Sequence, residues 1–210
     1  MIRIGIVDDH AILRRGIAQI IAECGDMQVV GEAGTSALAM RMLRENACDV
    51  VLLDISLPDR NGVETVKLIR KEFPKVHVLM LSMHPENQYA LRALKAGAAG
   101  YLTKQSAPSQ LVSAIRQVHG GRKYVTPLVA EELANSIGQD SEKPPHQTLS
   151  NREYQTMCLI ASGRTLTEIA QQMSLSVKTV SVYRGRVLEK MRLKNNAELT
   201  HYAIKNGIVD

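Results

Sequence analysis

Aromatic residues are scarce: the 210-residue chain has six Tyr, one Phe and no Trp, 3% in all. That excludes a single-strand reader that stacks bases on an aromatic platform, although a helix entering a duplex groove needs none. Cysteine is equally sparse. Cys24, Cys48 and Cys158 are odd in number, far apart and in no CxxC or Cys/His cluster, so neither a disulfide framework nor a zinc site is expected and they read as buried apolar fillers. Long apolar runs are absent. Stretches such as Val50 to Leu53 are far shorter than the roughly 18 to 20 residues that cross a bilayer. The N-terminus reaches Asp8-Asp9 before a signal-peptide core could form, so a cytoplasmic protein without a membrane span is expected. No GxGxxG or P-loop offers a nucleotide site. The histidines, His10, His77, His84, His119, His146 and His201, are scattered, and none reads as a ligand or base.

What is present is the balance of a globular chain, 45% hydrophobic and 22% charged, long enough for one domain or two. The net charge of +5 is unevenly placed. Residues 1–120 carry 14 basic and 12 acidic residues, 121–146 carry 3 and 4, and 147–210 carry 9 and 5. The basicity therefore sits in the C-terminal third.

Short apolar runs recur along the first half: Ile4 to Val7, Gln28 to Val30, Val50 to Leu53, Val76 to Leu81 and Gly100 to Leu102. Between them lie stretches of helical spacing, such as Ile12, Ile17, Ile20 and Ile21. Strand alternating with helix predicts an α/β, doubly wound, five-stranded parallel sheet covered on both faces and ending near Gly120-Gly121. Punctuation agrees: Asn61 and Glu64 suit a capping box, Pro85 a first helical turn and Gly97 a helix stop.

In open sheets of this kind ligands gather beyond the carboxyl ends of the strands. Here those ends carry Asp8-Asp9, Asp54, Ser82, and Tyr101 leading to Lys104. Three carboxylates on one rim repel by about 4 kcal/mol per pair at about 4 Å and an effective dielectric near 20, so a cation belongs among them. Lys104 supplies one charge, and a hard oxygen-liganded ion such as Mg²⁺ suits three carboxylates better. Taken singly, such acids also serve as helix caps or solvated ends. Together, residues 1 to 120 resemble the receiver domain of bacterial two-component response regulators, on Asp8-Asp9, the Asp54 of Val51 to Pro58, Ser82, and Gly97 to Lys104. The resemblance implies a flavodoxin-like fold and a phosphoacceptor, Asp54, served by the phosphohistidine of a sensor histidine kinase. It implies Mg²⁺ ligation by Asp9, Asp54 and the carbonyl of Ser56, with Asp8 acting mainly through water. Lys104 and Ser82 would meet the phosphoryl oxygens, and Ser82 and Tyr101 would form the switch. One departure is Gln105, where many receivers place a proline whose preceding peptide bond is cis.

Residues 121 to 148 read as a linker with a short helix from Thr126-Pro127 through Val129, Leu133 and Ile137, and Gly138 to His146 has nothing to bury. Two capping boxes follow, Ser150/Glu153 and Thr165/Glu168, then a brief turn at Ser174-Leu175 and a helix capped by Ser176 and reaching Met191. A fourth helix, Asn195 to Asn206, closes at Gly207. Short helix, tight turn and longer basic helix make a helix-turn-helix pattern. Val177, Val180, Val187, Leu188 and Met191 share one side of the third helix, opposite Lys178, Ser181, Val182 and Gly185. Residues 176–194 carry six basic residues against Glu189 alone, which a merely solvated face would also allow. Arg184 lies near the apolar side and is expected to pair with Glu153.

Residues 149–210 resemble the LuxR-type helix-turn-helix of NarL/FixJ response regulators, on Leu149 to Glu153, Glu168-Ile169-Ala170 and Leu175 to Val180. The resemblance implies a small all-α DNA-binding domain. Lys178, Ser181, Val182 and Gly185 would face bases, Thr179 and Tyr183 would approach phosphates, and Arg186 would join the DNA-contacting set. The fourth helix would make a homodimer on double-stranded promoter DNA. The expected protein is a phosphorylation-controlled transcription regulator and not an enzyme. An aspartyl-phosphate phosphohydrolase would show an Asp-x-Asp pair where this chain has Asp54-Ile55-Ser56. A third reading keeps DNA binding and makes the receiver a docking module.

Overall fold

A computed structural model of the chain describes residues 1–83, 86–106, 108–137 and 144–209. The chain divides into two compact units, Met1–Glu132 and Leu133–Asp210. In the first, β1 (Ile2–Val7), β2 (Met27–Ala33), β3 (Val50–Asp54), β4 (His77–Ser82) and β5 (Gly100–Thr103) form one sheet in the order β2-β1-β3-β4-β5, every neighbouring pair parallel. Helices α1 (Ala11–Ala22), α2 (Ser36–Glu45), α3 (Gly62–Glu72), α4 (Glu86–Lys95) and α5 (Pro108–His119) alternate with the strands. This is the doubly wound sheet predicted from the recurring apolar runs. β3 is buried at every position, as a strand covered on both faces must be. On one face Ile4, Ile6, Leu52, Leu79 and Leu102 pack with Ile17 and Ile21 of α1 and Leu111 and Ile115 of α5.

After β2 the chain returns past β1 to start β3, so the strand order reverses between β1 and β3. That reversal opens the crevice beyond their carboxyl ends, where Asp8 and Asp54 stand. Gly62 draws α3 tightly against this rim: a Cβ there would lie 2.1 Å from the Asp54 carbonyl oxygen, which only glycine avoids. Asn61 caps α3 by accepting from the Val63 N–H at 2.9 Å, so the capping bond goes two residues on and not to the Glu64 expected of a capping box. Gly97 ends α4 with φ +107°, as predicted. Pro85 lies outside the described residues.

The stretch after α5 is bound to the sheet. Tyr124 bridges to Gly100 on the outer edge of β5, its N–H donating to Ala99 O at 2.9 Å. The Lys123 ammonium donates to Ala98 O and the Thr126 hydroxyl to Glu86. The edge of β5 is thus occupied by the segment read from sequence as the start of a linker. Helix α6 (Pro127–Ile137) follows, starting and ending as predicted.

The second unit contains α7 (Asn151–Ala161), α8 (Leu166–Gln172), α9 (Val177–Met191) and α10 (Asn196–Lys205). Both capping boxes form, at Ser150/Glu153 and Thr165/Glu168, while Ser176 and Asn195 cap α9 and α10. The turn between α8 and α9 is closed by the Leu175 N–H donating to Ala170 O at 2.9 Å, with Ser174 left-handed at φ 53°. Met157, Ile169, Val180, Val187, Leu199 and Ala203 form the core. Three expectations are corrected. Glu153 is paired with Lys190 at 2.7 Å, whereas Arg184 donates to Asn196 at 2.6 Å. Arg184 lies six residues, about 9 Å, nearer the start of α9 and so beside the first turn of α10. Val177 is 44% exposed because it opens its helix ahead of the packed turns. Of the stretch Gly138 to His146, residues 138–143 lie outside the described residues, but Pro145–Thr148 forms a 3-10 turn and His146 Nδ1 stands 2.8 Å from the Tyr202 hydroxyl. Among the cysteines Cys158 is buried, while Cys24 and Cys48 are half-buried, and burial pushes the Cys48 thiol up to about 11.

Candidate phosphoacceptor pocket and DNA-facing helix

The carboxyl ends of β1 and β3 bring Asp8, Asp9 and Asp54 to one crevice, and the turn after β5 brings Lys104 beneath them. Lys104 Nζ lies 2.6 Å from Asp8 Oδ2 and 3.0 Å from Asp54 Oδ2, with all three side chains nearly sealed from solvent. Asp9 sits at the open mouth, its side chain 36% exposed. Lys104 is the near partner of both buried oxygens, Asp8 Oδ2 and Asp54 Oδ2, and one ammonium does not use all the lone pairs that two carboxylates offer. Burial, with Asp8 adding to it against the opposing pull of Lys104, holds the Asp54 carboxyl above the usual carboxylate range. Burial also works against the Lys104 ammonium, but Asp54 and Asp8 outweigh it and hold its pKa above the ordinary value. The pocket is thus short of positive charge. A donor set of hard carboxylate oxygens with unsatisfied lone pairs fits a divalent cation such as Mg²⁺. Ser56 contributes its backbone to the rim, its N–H hydrogen-bonding the Asp54 carboxylate.

His10, which was not expected among the site residues, belongs to the same cluster. Its Nδ1 stands 3.0 Å from Asp8 Oδ1 and 2.8 Å from Asp9 Oδ1. The only signal available in sequence was its place directly after the acidic pair. Arg14 completes the rim by donating to the Asp8 carbonyl oxygen at 2.6 Å while pairing with Glu32.

Ser82 closes β4 fully buried and hydrogen-bonds Tyr101 of β5, whose ring is 2% exposed. Burial raises the Tyr101 hydroxyl pKa, so it stays a neutral phenol. The backbone after β5 is fixed by the Lys104 N–H donating to Ser82 O at 2.7 Å. No cis peptide bond occurs among the described residues, and the Lys104–Gln105 bond is trans. With Gln105 following it, Lys104 still brings its ammonium between Asp8 and Asp54.

On α9 the structure sets Lys178, Ser181, Val182, Gly185 and Arg186 on the exposed surface, with Thr179 and Tyr183 half-buried beside them. Val180, Val187 and Met191 turn inward. The Thr179 hydroxyl is 2.8 Å from that of Ser176 at the helix start. A Cβ on Gly185 would meet nothing within 4 Å, so packing among the described residues does not account for that glycine.

A receiver fold with an acid pocket at its strand-order reversal, followed by a helix-turn-helix with an exposed basic stripe, defines a two-component response regulator with a DNA-binding output. Residues 4–116 match the response regulator receiver domain and residues 147–203 the luxR family of bacterial regulatory proteins; the chain belongs to the NarL/FixJ family of response regulators. It is 41% identical over 209 residues to the response regulator UvrY of Escherichia coli, covering 99% of this chain and 96% of that protein. To the response regulator GacA of Pseudomonas aeruginosa it is 36% identical over 211 residues, covering 100% and 99%. Among solved structures, RcsB from Salmonella enterica serovar Typhimurium, bound to promoter rprA in the presence of the phosphomimetic BeF3-, aligns with a TM-score of 0.63 at 26% identity over 96% of this chain and 98% of that one. A LuxR-family response regulator from Aurantimonas aligns at 0.59 with 38% identity, covering 65% of this chain and 98% of that one. No described helix is long and apolar enough to cross a membrane.

Proposed function

We propose that the protein is a cytoplasmic, phosphorylation-controlled transcription regulator: Asp54 accepts a phosphoryl group from the phosphohistidine of a sensor histidine kinase, and the modified protein binds promoter DNA as a homodimer. The observation that carries this reading is the buried contact of Lys104 with both Asp8 and Asp54, 2.6 and 3.0 Å away, in a pocket with more carboxylates than cations. An Asp54 oxygen attacks phosphorus as the P–N bond to the kinase breaks. Lys104 then meets charge on the phosphoryl oxygens, and the Ser82 hydroxyl hydrogen-bonds one of them. Asp9, Asp54 and the Ser56 carbonyl would ligate Mg²⁺, with Asp8 acting through water, and the ion supplies positive charge to the transferred group. Because Ser82 is already bonded to Tyr101, drawing it toward a phosphoryl oxygen frees the phenol to change rotamer, which gives the switch its moving part.

In the second unit, Lys178, Ser181, Val182 and Gly185 face bases, while Thr179, Tyr183 and Arg186 approach the backbone. Small or apolar groups at three of these positions make thymine-methyl contact and DNA shape the main sources of selectivity. Helix α10 supplies the dimer contact. The RcsB complex with promoter DNA and a phosphomimetic supports the coupling of the two halves.

The decisive measurement is fluorescence anisotropy on promoter fragments with and without acetyl phosphate and Mg²⁺, comparing wild type with Asp54→Ala. Tighter binding on phosphorylation, absent in the variant, is the expected result. Equal binding under all conditions would leave a DNA-binding protein whose receiver only docks partners.

A further inference from the structure

We infer that Arg192, the residue that closes α9, is a phosphate-binding residue whose guanidinium meets the DNA backbone at the end of the helix opposite Lys178. The inference rests on the proposed docking of α9 in the major groove and extends it to a residue beyond the base-facing set.

Backbone conformation singles Arg192 out. It is the C-cap of α9 and is left-handed, at φ 55° and ψ 40°. That region crowds Cβ against the following carbonyl oxygen, so helices that end this way mostly do so in glycine. The chain follows that preference elsewhere: Gly97, Gly121, Gly163 and Gly207, just past the ends of α4, α5, α7 and α10, all have positive φ. The one other left-handed side chain among the described residues is that of Ser174, small and in the turn before α9. A long arginine in this place gives up stability that glycine would supply, and side chains held in such conformations cluster at ligand clamps.

The guanidinium returns nothing to the fold. Arg192 is exposed and makes no side-chain hydrogen bond or ion pair among the described residues. Even Glu189, three residues back and also exposed, does not pair with it. Other bases of the segment are committed, Lys190 to Glu153 at 2.7 Å and Arg184 to Asn196 at 2.6 Å. A cation near the last carbonyls also suits the helix dipole, but Lys190 in the last turn already serves that end.

Position then indicates the partner. Lys178, Val182, Gly185 and Glu189 share one side of α9, and Arg192 follows at the helix end, about 21 Å along the axis from Lys178. A straight helix seated by its first turns leaves the floor of a groove about 12 Å wide that winds around the duplex, and its far end comes up to the phosphates. There the planar fork of an arginine can take two oxygens of one phosphate.

The test is fluorescence anisotropy of the full chain, with acetyl phosphate and Mg²⁺ held constant, on a genomic promoter fragment and on a mixed-sequence duplex of equal length, over a series of KCl concentrations. Wild type is compared with Arg192→Asn, which tolerates the left-handed region, with Arg192→Lys, which keeps the charge, and with Lys178→Ala. Arg192→Asn is expected to weaken binding to both duplexes to the same degree and to make log affinity against log salt shallower by about 0.9 per bound protomer. Arg192→Lys should recover most of that slope, and Arg192→Asn should melt no earlier than wild type. An unchanged slope in Arg192→Asn, with Lys178→Ala weakened, would overturn the inference and leave the docking of α9 standing. So would a loss confined to the promoter fragment, which would make Arg192 a reader of bases, or a loss accompanied by a lower melting temperature, which would make it a structural cap. If Lys178→Ala bound both duplexes as wild type does, the docking itself would fail, and the inference with it.

Discussion

Lys104 is the only ammonium or guanidinium within ion-pairing distance of Asp8 and Asp54 among the described residues, and both acids are buried with it. Removing one partner of such a group leaves uncompensated charge where water cannot screen it, at a cost of about 3–5 kcal/mol. Lys104→Met is therefore expected to lower the unfolding free energy by that order in chelator, and added Mg²⁺ should restore more stability to the variant than to wild type, because the ion then does the neutralising. Denaturant melts with and without Mg²⁺ measure this, and identical Mg²⁺ effects on both proteins would count against cation binding there. A second pair lies far from the pocket. The Arg3 guanidinium donates to Asp49 at 3.0 and 2.6 Å and its backbone N–H adds a third bond at 2.9 Å. Arg3 holds the Asp49 carboxyl down to about 2 from an ordinary 3.8. A depressed acid contributes stability that is present above its unfolded pKa and fades as pH falls through the folded one. Asp49→Asn should thus cost about 1 kcal/mol at neutral pH, discounted because Arg3 is well exposed, and the gap to wild type should close between about pH 4 and pH 2. A gap undiminished at pH 2 would mean that the loss was not electrostatic.

At the scale of elements, the glycine in α9 makes the most exposed claim. An interior helical glycine costs about 1 kcal/mol relative to alanine, and a Cβ on Gly185 would meet nothing within 4 Å. Gly185→Ala is accordingly expected to stabilise the protein by up to about 1 kcal/mol in thermal or denaturant unfolding while weakening promoter binding in anisotropy, since on the proposed docking the added methyl would stand between the helix and DNA. A variant that is both more stable and as tightly bound would remove Gly185 from the interface. Elements of this kind were legible in the sequence because their signals are local: the apolar runs of β1 to β5, the boxes at Ser150 and Thr165, and the Ser176 cap all involve residues a few positions apart. The acids of the pocket were legible for a related reason, since a doubly wound sheet puts strand ends on one rim whatever the side-chain details. Partners chosen across space were not. Nothing local tells Glu153 to take Lys190 from α9 in place of Arg184, or His10 to turn its ring onto Asp8 and Asp9. The binding of Tyr124 along β5 was hidden because two hydrogen-bonded backbone groups leave no composition signal.

At the scale of the whole molecule, the two units carry separate cores. The C-terminal one packs Leu149, Met157, Ile169, Val180, Val187 and Leu199 among its own helices, four of which begin at side-chain caps, so residues 147–210 are expected to fold without the receiver. If phosphorylation licenses DNA binding by lifting a block that the unphosphorylated receiver places on that unit, deleting the receiver should release it. A fragment of residues 147–210 is then expected to bind promoter DNA at least as tightly as the unphosphorylated full chain and to ignore acetyl phosphate. The same anisotropy series reads both properties. Binding by the fragment an order of magnitude weaker would reverse the logic: the receiver would act by supplying dimer contacts that bring two helix-turn-helix units to adjacent half-sites, and phosphorylation would work by assembly, since each unit alone has few contacts and pays its full loss of freedom on binding.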